Sequence, residues 1–242
     1  MNGLMMRGLS FIPFMLRFIK RLFTRKNHVD FSAYNPSFIR EELIKRCRIV
    51  VIDDERPALI DDLSNQGFAV DHDGSGNDTT KIEKNLYDLI LLDFGGVGAR
   101  FGRDEGLSLL RHIKRVNPAT FILAYTSKSL KSDQSDFYRL TDATLQKDAG
   151  IADSFAKIES SLREALRVDR IWRALVEIGA SGTGMKQEVE ASVQEALRKR
   201  DIKLLEDTLR TKLSNNSGGE LVSKLIDKMI DLVGKYTSGT KP

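Results

Sequence analysis

The run Ile49-Val50-Val51-Ile52-Asp53-Asp54-Glu55 decides the fold, together with its counterpart Tyr87-Asp88-Leu89-Ile90-Leu91-Leu92-Asp93. Each is a compact apolar stretch of strand length that stops at carboxylates. An unbroken apolar run of this kind reads as a strand buried on both faces. Outward from the first run, Pro57 to Gln66 reads as a helix stopped by Gly67, and Phe68 to Asp71 as a second short strand. A turn-rich loop from Gly74 to Asp78 leads to a short helix, Thr79 to Leu86. Beyond Asp93 lies a glycine-rich loop, Phe94 to Arg103, then a helix from Asp104 to Val116 that ends at Asn117-Pro118. Ala119 to Tyr125 forms a fourth strand ending at Thr126, and residues 129–140 a fourth helix. Ala143 to Gln146 forms a fifth strand ending at Lys147, and a further helix starts near Ile151.

This β/α alternation implies an open parallel sheet covered on both faces. Ligand sites in such sheets lie beyond the carboxyl ends of the strands, where the strand order reverses. The polar residues fall there: Asp53 and Asp54 after the first strand, Asp93 after the third, Thr126 after the fourth, Lys147 after the fifth. Converging carboxylates repel one another unless a cation lies between them, and oxygen ligands of this type suit Mg2+. An aspartate so placed can act as a nucleophile toward a phosphoryl group. The lysine would neutralise charge on the group in transfer, and the threonine hydroxyl would donate a hydrogen bond.

Taken together, Ile49–Glu55, Tyr87–Asp93, Ala124-Tyr125-Thr126-Ser127 and Leu145-Gln146-Lys147-Asp148 resemble the response-regulator receiver family. The resemblance covers about half of the chain, residues 47–167. It implies a flavodoxin-like, doubly wound, five-stranded parallel sheet of order 2-1-3-4-5. It implies Asp93 as phosphoacceptor, with Asp53, Asp54 and Asp93 holding Mg2+. Thr126 would be the hydroxyl that moves toward the phosphoryl group, and Lys147 the lysine that pairs with it. Glu105-Gly106-Leu107 resembles the element that opens the family's third helix. The implied partner is a histidine kinase or phosphotransfer protein. The chain would catalyse its own phosphorylation without otherwise being an enzyme. Three features depart from the family pattern: the long loop from Asp93 to Gly106 lacks the usual proline, Asp148 stands where a proline usually follows the lysine, and Thr144 replaces the aromatic residue of the fifth strand.

The rest of the chain is read from composition and pattern. A net charge of +4, with 41% hydrophobic and 30% charged residues, fits a globular protein and does not by itself point to nucleic acid or membrane. The single cysteine, Cys47, excludes an intrachain disulfide and fits a reducing, cytoplasmic setting. The first 29 residues contain no Asp or Glu, and from Pro13 onward they alternate apolar and basic faces at helical spacing. Residues 1–46 are thus expected to form a basic amphipathic helix and a linker, with residues 10–26 offering a peripheral contact to the inner membrane face. Residues 168–242 read as an all-helical output or oligomerisation region. The fifth receiver helix is expected to run on through Ile178, followed by helices Met185–Arg200 and Ile202–Leu213 and an apolar-striped final helix from Leu221 to Val233. Gly179 to Lys186 mixes Gly, Ser and Thr with a lysine but lacks the strand and spacing of a phosphate loop, and reads as an interhelical linker. This region shows neither a basic bias nor a helix-turn-helix pattern, so nucleic acid is not the expected partner. Homodimerisation or a helical protein partner is. The competing expectation is a receiver-like interaction scaffold that works without phosphorylation.

Overall fold

A computed structural model describes residues 29–127, 135–180, 183–213 and 219–239. The basic amphipathic segment, with its membrane contact at residues 10–26, lies outside the described residues. So do residues 128–134 of the fourth helix and most of the turn before the last helix. Strands β1 (Arg48–Ile52), β2 (Ala69–Asp73), β3 (Leu89–Leu92), β4 (Phe121–Thr126) and β5 (Ala143–Gln146) form one parallel sheet in the order β2-β1-β3-β4-β5. This is the flavodoxin-like order. Helices α1 (Arg40–Arg46), α2 (Leu59–Asn65), α3 (Thr80–Glu83), α4 (Glu105–Val116), α5 (Ser135–Leu140) and α6 (Ile151–Ala165) flank it.

Side chains alternate across a strand, so each central strand feeds two cores. Ile49, Val51, Leu89, Leu91, Leu123 and Tyr125 point to one, which α2 and α6 close with Leu63, Ile158 and Leu162. Val50, Ile52, Ile90, Leu92, Ile122 and Ala124 point to the other, which α4 and α5 close with Leu109, Leu110, Ile113 and Phe137. Burial on both faces is why β1, β3 and β4 are apolar without interruption. Cys47 is buried at the start of β1, and burial pushes its thiol up to about 12, leaving it an inert apolar group.

Two expectations outside the sheet need correction. The fifth receiver helix does not continue: α6 stops at Ala165, Arg167 is extended, and a new helix, α7 (Val168–Gly179), begins. The break is made from a distance, because the Val168 N–H donates to Asn35 Oδ1 at 2.8 Å and so gains a cap. Nor are residues 29–46 a loose linker. Val29, Phe31, Phe38 and Leu43 are buried, Phe31 meets Trp172 at 5.6 Å between ring centroids, and the Tyr34 hydroxyl donates to the Leu197 carbonyl at 2.9 Å. Helices α8 (Thr183–Lys199), α9 (Ile202–Leu213) and α10 (Gly219–Gly239) complete an all-helical C-terminal region. Its apolar residues, among them Leu175, Val193, Leu209 and Ile226, continue the core that lies under α2 and α6. None of the described helices is long and apolar enough to cross a membrane.

Polar contacts between the sheet and these helices gather at the amino ends of the strands. Lys228 Nζ lies 2.6 Å from Asp88 Oδ1, while Asp88 Oδ2 accepts the Arg48 N–H that opens β1. Arg170 on α7 donates to the Ala119 and Thr120 carbonyls before β4, and to Asp142 Oδ1 before β5 at 2.9 Å. Asp142 Oδ2 also meets Lys114 Nζ at 2.6 Å and accepts the Ile122 N–H. Burial alone would raise the Asp142 carboxyl, but Arg170 and Lys114 bring it below the ordinary range.

Breaking one partner of a buried pair leaves the other uncompensated, which costs about 3 kcal/mol or more. Arg170→Met and Asp142→Asn are therefore expected to lower the unfolding free energy by roughly that order at neutral pH, read by urea titration. Because the folded Asp142 pKa lies below its unfolded value, its contribution is fully present above the ordinary carboxylate range and lost as pH falls through the folded value. The gap between wild type and Asp142→Asn should close on acidification; a gap that stays constant with pH would contradict this.

Candidate functional site

Register alone sets two carboxylates side by side. Ile52 pairs with Leu92 across β1 and β3, and the Asp93 N–H donates to the Ile52 carbonyl at 2.9 Å, so Asp53 and Asp93 leave the sheet together. Asp54 follows at the surface. Oxygens of Asp53, Asp54 and Asp93 lie within 4.8 Å of one another, and Asp53 is fully buried. Lys147 follows β5, and its N–H donates to the Thr126 carbonyl at 2.7 Å. Its ammonium lies 2.7 Å from Asp53 Oδ2 and 2.9 Å from Asp93 Oδ2. All described peptide bonds are trans, so Lys147 reaches both carboxylates with Asp148 rather than proline after it.

Burial pushes the Asp93 carboxyl above its usual range, against the opposing pull of Lys147 and of the Phe94 N–H that donates to Asp93 Oδ1 at 2.8 Å. Burial alone would lower Lys147, but its bonds to Asp53 and Asp93 carry it above the usual lysine value. The Tyr125 ring also lies beneath it, with its centroid 5.6 Å from Nζ. Tyr125 points into the core opposite Thr126, as strand alternation requires, yet still touches the lysine that crosses the strand end.

The long loop after Asp93 is a fitted wall of the site. Gly96 adopts φ +71°, and a Cβ there would overlap the Asp54 carboxylate. Its N–H donates to Glu105 Oε2 at 3.1 Å. Val97 is fully buried, and the Gly98 N–H donates to the Ser75 carbonyl at 2.7 Å. Gly106 carries α4 against the Asp93 and Phe94 backbone so closely that a Cβ would overlap the Asp93 carbonyl. The requirement for glycine in Glu105-Gly106-Leu107 is thus steric.

Asp53, Asp93 and Lys147 are brought into direct contact, with Asp54 beside them. Thr126 ends β4 as expected, but its hydroxyl donates to the Ser127 carbonyl at 3.0 Å and lies 2.8 Å from the Tyr138 hydroxyl. Sequence reasoning missed Tyr138, Gly96 and the ring of Tyr125. Carboxylates at the ends of β1 and β3, a lysine at the end of β5 and the order 2-1-3-4-5 make up the receiver arrangement. The sheet-bearing half of the chain has the receiver fold.

Among solved structures, the chain is similar to a CheY-like response regulator receiver domain protein from Methanospirillum hungatei. They are 24% identical over 49% of this chain and 95% of that one, with a TM-score of 0.41. A two-component response regulator from Clostridium difficile is 24% identical over 49% and 97% of the two chains, at 0.42. The receiver domain of NtrX from Brucella abortus is 22% identical over 47% and 97%, at 0.41. No protein-family model and no curated protein matches the chain.

The two glycines of this wall separate steric need from loop tolerance. Gly106→Ala should destabilise the protein by about 1–3 kcal/mol, the usual cost of overpacking. Gly95→Ala, whose Cβ would meet only Glu105 Oε2 at 3.8 Å, should be nearly neutral. Thermal melting of both variants checks this, and equal melting temperatures would refute the steric reading.

Proposed function

We propose that the chain is a two-component response regulator that accepts a phosphoryl group on Asp93. The observation that carries this reading is the Lys147 ammonium set between Asp53 and Asp93 beside an acidic trio. One Asp93 oxygen accepts the Phe94 N–H and the other faces Lys147, so the carboxylate is oriented. In the transfer, an Asp93 oxygen forms a bond to phosphorus as the bond from phosphorus to the donor's imidazole nitrogen breaks. The bonding pair returns to that nitrogen, and no further reactant is needed. Lys147 opposes the negative charge on the phosphoryl oxygens, and the Thr126 hydroxyl is the candidate donor to one of them.

The residues present fit a divalent cation. Three hard carboxylates converge, and Asp53 Oδ2 is fully buried with no hydrogen bond of good geometry despite its ion contact to Lys147. Asp53, Asp54 and Asp93 would hold Mg2+, which when bound would neutralise charge on the transferring group. The donor would be a histidine kinase or phosphotransfer protein. The helical region would act through protein–protein contact, as a homodimer or with a helical partner, in the cytoplasm. The acid-free, amphipathic pattern before Val29 supports a peripheral membrane contact through residues 10–26.

Intact mass after incubation with Mg2+ and a small acyl phosphate tests the central claim. Wild type should gain one phosphoryl group that is labile in base, and Asp93→Asn should gain none. A folded wild type that gains nothing would favour a scaffold without phosphotransfer.

Cation binding has its own test. Mg2+ at about a hundred times its dissociation constant should stabilise wild type by about 2.7 kcal/mol. Asp54→Asn, exposed and therefore neutral to folding, should largely lose that gain. A shift of equal size in both proteins would remove Asp54 from the cation site.

A further inference from the structure

We infer that Tyr138 is a positioning residue that holds the Thr126 hydroxyl in a resting orientation, and that its release reports occupancy of Asp93 on helix α5. This deepens the function proposed above and rests on it. The Thr126 hydroxyl carries one proton, and that proton goes to the Ser127 carbonyl at 3.0 Å. The 2.8 Å contact with Tyr138 is therefore donated by the tyrosine hydroxyl to Thr126 Oγ1. Both hydrogen bonds turn the threonine proton toward its own strand end, so Thr126 cannot serve a group on Asp93 until it leaves them.

Tyr138 is anchored for this role. Its ring meets Phe137 edge-on at 5.6 Å, and Phe137 meets Phe94 edge-on at 5.3 Å. Phe94 is the residue after Asp93, so an aromatic row connects the acceptor to the tyrosine. The Thr141 hydroxyl donates to the Tyr138 carbonyl at 3.0 Å, which holds the end of α5. On β5, by contrast, Thr144 is exposed and carries no ring. Movement of the Thr126 hydroxyl toward a phosphoryl oxygen breaks the tyrosine's bond and leaves the Tyr138 hydroxyl free on α5. That helix also carries the exposed residues Asp136 and Arg139 and is tied to α4 through Arg111–Asp136 at 3.4 Å.

The test is a double-mutant cycle on full-length protein, reading the rate of phosphoryl uptake from a small acyl phosphate with Mg2+. Tyr138→Phe keeps the ring and removes the hydroxyl. It should raise the rate about threefold or more, the factor that one hydrogen bond is worth. In a Thr126→Val background the same change should leave the rate unaltered, because the group it restrains is gone. Equal rates for wild type and Tyr138→Phe, or an effect that persists without Thr126, would overturn this inference alone. A wild type with no uptake would overturn the function proposed above and this inference with it.

Discussion

The Lys147 ammonium, set between two buried-side carboxylates, is the contact on which the site depends. Parallel register delivers Asp53 and Asp93 to one place because β1 and β3 are hydrogen-bonded neighbours and both end at the same level. Two carboxylates there, with Asp54 beside them, are unfavourable without positive charge. The lysine comes from β5, two strands from β3, and is carried across by its backbone bond to Thr126 at the end of β4. The whole width of the sheet between β1 and β5 is therefore needed to assemble one charge balance. Asp93 stays above its usual range even so, because burial outweighs the lysine. An acceptor in that state gains from any further cation or from conversion of its charge.

The helical region is fixed at the other end of the molecule. Asp88 precedes β3 and Asp93 follows it, five residues on, which places Lys228 about 16 Å from the acceptor at strand rise. Arg170 and Asp142 sit at the same remote end. A core shared by the sheet, α1, residues 29–38 and the four C-terminal helices leaves no free hinge between these parts among the described residues. The helices thus brace the amino ends of the strands. The carboxyl ends, the loop from Phe94 to Gly106 and the α4–α5 face remain open to a partner.

What the sequence made legible follows from local physics. Strands buried on both faces leave an apolar run that nothing else of that length produces, and carboxylates at their ends stand out against it. Asp53, Asp54, Asp93 and Lys147 were therefore readable before any geometry. The break between α6 and α7 was not, because apolar spacing continues through Leu166 and Ile171 while the cap comes from Asn35, distant in sequence. The packing of residues 29–46 was hidden for a similar reason: Phe31, Phe38 and Leu43 follow no period, and their partners lie in helices far along the chain. Tyr138 gave no signal because its role depends on where a short helix lies beside β4.

Asp148 and Thr144, the two departures at β5, have different consequences. Lys147 keeps its reach without a following proline because the strand-end bond to Thr126 and the Ala149 N–H bonded to the Gln146 carbonyl shape the turn. The charge chemistry of the site therefore does not depend on the missing proline. Thr144 is another matter, since an exposed threonine on an edge strand offers the Thr126 hydroxyl no ring to move against. The tyrosine that contacts that hydroxyl lies on α5 instead. Conserved electrostatics combined with a relocated aromatic contact would let the same strand-end chemistry address a different surface, the one between α4 and α5, which the C-terminal helices leave uncovered.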